Sequence, residues 1–166
     1  MKIINPVTQL EVFNHWYKVE GEVFLHRGDI VNPLAAYNDL VWNLAEIEDA
    51  DIDKIYICSS DDWSDDGLCI PDFKVKTAIE NYKRSDFSKG KYKDIKDKEN
   101  IFVKDMDGLD NRLFLVADSL NGPFTLIEGC KRSIALGNLG KLTGLEVFLG
   151  ISPAIRGYIW SRYAYS

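Results

Sequence analysis

The chain has 166 residues, 46% of them hydrophobic, and a formal charge of −6, enough to bury a substantial core in one domain spanning 1–166 and too few for a second full domain. The acidic balance excludes broad nucleic-acid binding across the whole surface. No apolar run reaches the roughly 20 residues needed to cross a bilayer, and the N-terminus lacks a long apolar region with a cleavage pattern, so a cytoplasmic protein without a membrane partner is expected.

Cys58, Cys69 and Cys130 show no CxxC or metal-finger spacing, which argues against a disulfide framework or structural zinc. With only His15 and His26 available, a multi-histidine metal site is excluded.

Taken in order, the chain opens with a mixed apolar segment, Ile3, Leu10, Val12 and Phe13, interrupted at Asn5-Pro6. Glu22 to Gly28 then reads as a short strand leaving at glycine. His26 and Arg27 lie at its exit, where they would face a pocket; an exposed arginine and a hydrogen-bonded histidine are the ordinary alternative. Asn32-Pro33 has the form of a helix start, and Leu34, Tyr37, Val41 and Leu44 follow at spacings of three and four, predicting a helix to about Glu48. After an acidic turn, Ile55 to Cys58 reads as a buried strand.

Asp62, Ser64, Asp66 and Gly67 follow the start of a calcium loop, but Phe73 stands where the closing glutamate belongs, so a solvated acidic loop anchored by Trp63 is expected. Asp105, Asp107, Gly108 and Asp110 form a similar cluster. Either loop would supply a magnesium carboxylate only if folded against Glu128. Phe73, Ala78, Ile79 and Tyr82 predict a helix over about 72–84. Ser85 to Asn100, rich in Lys and Asp, is a candidate lid, with a solvated helix or loose connection as the plain alternative.

Leu113 to Val116 and Phe124 to Ile127 flank Leu120-Asn121-Gly122-Pro123 and predict a β-hairpin. The second strand stops at Glu128-Gly129-Cys130-Lys131-Arg132-Ser133, after which Ile134, Ala135, Leu136 and Leu139 fall on one helical face. A strand, a turn and a helix N-terminus in succession offer free N–H groups and a favourable dipole to an anion. Lys131 and Arg132 add positive charge, and Glu128 would act as base or metal ligand. Leu145 to Leu149 is a further strand, and Ser152-Pro153 begins a last helix bearing Ile155, Tyr158, Ile159 and Arg162.

The Glu128 to Arg132 turn, with the small-residue helix and strand after it, resembles the signature of the ParB/sulfiredoxin superfamily. Members place a Gly-x-x-Arg or acid-Gly-x-His-Arg turn between strand and helix to hold nucleotide phosphates. Gly129, Cys130 and Arg132 match the Gly-Gly-Cys-His-Arg form of sulfiredoxins, while Lys131 stands at its histidine and Glu128 at its first glycine.

The resemblance implies a mixed α/β domain of that type, a small sheet flanked by helices, that binds a phosphate-bearing small molecule, a nucleotide first of all, with hydrolysis or phosphoryl transfer in prospect. Glu128, Lys131 and Arg132 would be catalytic, and Gly129, Cys130 and Ser133 would contact the ligand, with magnesium as the helper; His26 and Arg27, outside the stretch that carries the resemblance, would join the ligand contacts if they face the same pocket. Two alternatives stay open: a non-catalytic ligand-sequestering or protein-interaction module, and sulfiredoxin-like thiol chemistry at Cys130.

Overall fold

A computed structural model describes residues 1–64, 67–86, 90–106 and 110–166. In chain order the elements are β1 Lys2–Val7, α1 Gln9–Glu20, a 3₁₀ segment Gly21–His26, α2 Gly28–Ala36, β2 Val41–Glu46, α3 Asp49–Ile52, β3 Ile55–Ile57 and α4 Asp61–Ser64. They continue with α5 Val75–Lys83, α6 Gly90–Lys104, β4 Leu113–Ala117, β5 Phe124–Glu128, α7 Cys130–Asn138, β6 Glu146–Ile151, the 3₁₀ segments Pro153–Gly157 and Ile159–Ser161, and α8 Arg162–Tyr165. Among the described residues no helix is long and apolar enough to cross a membrane.

The strands form one mixed sheet of order β1-β2-β6-β4-β5-β3. β4 lies parallel to β6 and antiparallel to β5, and β3 runs parallel to β5. All five residues of β4 are buried because both faces of the sheet are covered. Leu113, Leu115 and Ala117 enter a core shared with α5, α6 and α7 through Ala78, Ile95 and Leu136. Phe114 and Val116 point the other way, against Val12 and Trp16 of α1 and Ile30 and Leu34 of α2. The α/β class expected from the sequence is therefore observed, as helices packed on both faces of a six-stranded sheet.

Several local expectations fail. Glu22 to Gly28 is not a strand: Gly21–His26 is a 3₁₀ turn that hands directly to α2. The helix predicted to start at Asn32-Pro33 begins at Gly28, carries Pro33 inside and stops at Ala36. Val41 and Leu44, assigned to that helix, belong to β2, held between β1 and β6. Two neighbouring ladders outweigh a helical spacing that four residues satisfied by coincidence.

The candidate lid is in its described part largely the helix α6, fixed to the core by Ile95, Phe102 and a buried Glu99 that receives hydrogen bonds from Tyr82 and Asn138. The single helix expected after Ser152-Pro153 is instead two 3₁₀ segments and α8. Residues 65–66, 87–89 and 107–109, which carry parts of both acidic clusters and of the lid candidate, lie outside the described residues.

Candidate functional site

The hairpin β4–β5 delivers Glu128 to the carboxyl end of β5, and Cys58 follows β3 at the carboxyl end of the strand parallel to it. Crevices outside the carboxyl ends of parallel strands are where α/β sheets collect ligands. A cleft of about 850 Å³ opens here, lined on the sheet side by Cys58, Ile127 and Glu128 and on the α7 side by Gly129 to Arg132. Gly129 permits the handover. Its φ of 94° and ψ of 22° are left-handed, and a Cβ there would lie 2.6 Å from Leu113 Cδ2. No side chain caps the N-terminus of α7, so the N–H groups of its first turn remain open to an acceptor.

Four side chains form the charged centre. Arg132, only 8% exposed, donates through Nη2 to Glu128 Oε1 at 2.9 Å. Arg27 grips Glu20 at the end of α1, with Nη2 at 2.9 Å from Oε1 and Nε at 3.3 Å from Oε2. Trp16 Nε1 donates to the same Glu20 Oε2 at 2.8 Å. Glu20 is near enough to Glu128 to raise its pKa.

Burial, and after it the facing Glu20, push Glu128 above the usual carboxylate range, against the pull of Arg132 and Arg27. Two guanidiniums and two carboxyl groups thus face one another, and burial favours the neutral form of Glu128.

Lys98 adds a further cation to this group. It is half-buried beside Arg132 and Lys131, and burial followed by those two cations depresses its pKa. It makes no ion pair among the described residues. Lys131 is bonded to Asp94 of α6. Arg132 likewise spends one N–H donor on Glu128 and finds no other acceptor among the described residues. A nearly buried arginine with unused donors and a half-buried lysine beside it stand together at the α7 end of the cleft. Trp63 and Trp160 also line the cleft, with Lys91 Nζ 4.3 Å above the Trp63 ring.

Of the residues singled out from sequence, Glu128, Gly129, Cys130, Lys131, Arg132 and Arg27 therefore converge. His26 is exposed and is absent from the cleft lining. Ser133 is buried and turns its hydroxyl back to the Cys130 carbonyl at 2.8 Å, away from any ligand position. The sequence reading missed Glu20, Cys58, Lys98 and the two tryptophans. Trp63 carried a local signal as an aromatic anchor inside an acidic loop, Lys98 falls within the lid candidate and Trp160 among the C-terminal aromatics; Glu20 and Cys58 are brought in by α1 and β3. Among the described residues no group of three or more His, Cys, Asp or Glu side chains is arranged to hold a metal. Comparison with protein families, with curated proteins and with solved structures finds no match to this chain.

Proposed function

We propose that the cleft binds a phosphate-bearing small molecule, with a nucleotide as the preferred class. The observation that carries this reading is the buried guanidinium of Arg132 beside Lys98, which has no ion pair among the described residues, at the open N-terminus of α7. Guanidinium and helix N–H groups are the donors that phosphate oxygens seek, and Lys131 supplies a mobile charge. Trp63 and Trp160 offer aromatic surface against which a base would stack. The likeness of the turn to the ParB/sulfiredoxin signature supports the same assignment.

Hydrolysis or phosphoryl transfer is the reaction this arrangement favours. Glu128, whose pKa burial and Glu20 raise, would serve as proton donor or acceptor, while Arg132 and Lys98 would neutralise charge developing on the transferred group. Magnesium would enter on the phosphate oxygens, since it keeps several waters and takes one or two protein carboxylates. Asp29 and Asp62, which line the cleft without ion pairs among the described residues, are the carboxylates available to it.

Isothermal titration of the full chain with nucleoside mono-, di- and triphosphates and pyrophosphate, with and without magnesium, followed by product analysis, tests the proposal. Binding that is lost in Arg132→Met and Lys98→Met, with turnover lost in Glu128→Gln, is expected. Binding without turnover would leave a sequestering module. No binding by the wild type at millimolar ligand would end the proposal.

A further inference from the structure

The phosphate reading leaves two side chains of the cleft unused. Cys58 follows β3 and Cys130 opens α7, and because β3 and β5 run in parallel the two residues arrive side by side. Leu126 marks the spot: its carbonyl accepts the N–H of Cys58 at 3.1 Å and the thiol of Cys130 at 3.8 Å. The two thiols are near enough to shift each other's pKa. They are 6% and 8% exposed, and both contribute to the cleft lining. Cys69 is near enough to Cys130 to be felt electrostatically, but it is fully buried and does not reach the cleft.

The pair is not symmetric. Cys130 spends its S–H on the Leu126 carbonyl, while the neighbouring Cys130 draws the Cys58 thiol below its ordinary pKa against the effect of burial, with Ser60 and Arg27 helping. Cys58 and burial in turn hold Cys130 firmly as a thiol, its proton kept on Leu126. The thiolate is the nucleophilic form, so the attacking sulfur is that of Cys58 and Cys130 is the thiol poised to follow.

We propose that Cys58 and Cys130 form an oxidisable dithiol that reduces small hydroperoxides entering the cleft. The Cys58 thiolate attacks the outer peroxide oxygen and the O–O bond breaks. The leaving oxygen takes a proton to become an alcohol or water, and Cys58 becomes a sulfenic acid. Cys130 then attacks that sulfur: the S–S bond forms, hydroxide leaves and combines with the Cys130 proton as water. One hydroperoxide is reduced by two electrons, and two thiols become one disulfide. The inference stands apart from the phosphate reading, since it requires neither Arg132 nor a nucleotide.

The test uses hydrogen peroxide on the full-length folded chain, followed by unfolding, alkylation and peptide mass spectrometry. The wild type should lose two thiols and yield a Cys58–Cys130 cross-linked peptide while Cys69 stays alkylatable. Cys130→Ser should stop at a Cys58 sulfenic acid that a dimedone probe traps, and Cys58→Ser should lose rapid peroxide consumption. Should Cys58→Ser fail to retain the wild-type circular dichroism, Cys58→Ala and the cross-link map of the wild type decide the matter. A cross-link to Cys69, sulfenic acid trapped first on Cys130, or thiols no more reactive than those of the unfolded chain would overturn the proposal.

Discussion

Arg132→Met removes the guanidinium from a nearly closed ion pair while keeping most of its volume. The side chains of Arg132 and Glu128 are 9% and 18% exposed and meet at 2.9 Å, so water cannot fully replace the lost partner. Breaking a buried pair costs about 3–5 kcal/mol when the survivor stays charged. Glu128 has an escape, since it can take up a proton. Holding a carboxyl neutral costs about 1.4 kcal/mol for each pH unit above its ordinary pKa of 4.5, a ceiling of about 4 kcal/mol near pH 7.5. The wild type already carries part of that cost, because burial and Glu20 raise Glu128 even with Arg132 present.

A deficit of about 2–4 kcal/mol near pH 7.5 is therefore expected, read as a Tm loss of roughly 5–15 °C for a chain of this length. An acid whose folded pKa is raised contributes stability that is complete below its unfolded pKa and lost as the pH rises through the folded one. The deficit of Arg132→Met should accordingly be small near pH 4.5 and grow with pH. Glu128→Gln in the same background should recover most of it. Thermal and urea unfolding of the four proteins of this cycle between about pH 4.5 and 8 measure the effect. A variant within about 0.5 kcal/mol of wild type at every pH, or one whose deficit shrinks as pH rises, would refute the buried-pair description.

Lys98→Met should raise the Tm of the ligand-free protein by about 2–4 °C, as removal of a half-buried cation from beside Arg132 and Lys131 warrants, while weakening phosphate binding; a fall in Tm would mean that Lys98 has a stabilising partner. Gly129→Ala combines a positive φ with a methyl 2.6 Å from Leu113 Cδ2 and should cost about 2–4 kcal/mol in urea unfolding, so a loss under about 1 kcal/mol would contradict the turn geometry. Gly137→Ala would place a Cβ 2.1 Å from Ile79 Cδ1 and should destabilise by about 1–3 kcal/mol; Ile79→Ala in the same chain should relieve the clash, and strict additivity of the two changes would disprove it.

The elements read correctly from sequence are those whose local signals agree with their surroundings. The hairpin is visible because β4 and β5 are short continuous apolar runs on either side of Asn121-Gly122, and α7 because Gly129 separates a strand pattern from a helical one. β2 was hidden. Leu34, Tyr37, Val41 and Leu44 meet a helical spacing, yet the turn-forming pair Asn38-Asp39 divides them, and that pair was the available warning. Asn5-Pro6 concealed β1 in a similar way, since proline is acceptable on the outermost strand, where Lys2–Val7 lies.

In the cleft, Arg27 and the Glu128 to Arg132 turn could be named beforehand because their charges stand next to a predicted loop or turn. Glu20 could not: within its own segment it is one more acidic residue at the end of an amphipathic helix, and nothing nearby indicates that it will face Glu128.

By itself the sequence determined the turn that presents an arginine and a lysine at a helix N-terminus, because strand, glycine and helix preferences act over a few neighbouring residues. Only the tertiary structure decided what surrounds that turn. Glu20 joins Glu128, Lys98 joins Arg132 and Cys58 joins Cys130 in lining one cleft because α1, α6 and β3 pack where the sheet order puts them. Burial, which raises the pKa of Glu128 and holds Cys130 as a thiol, arises from that packing and from no single stretch of the chain.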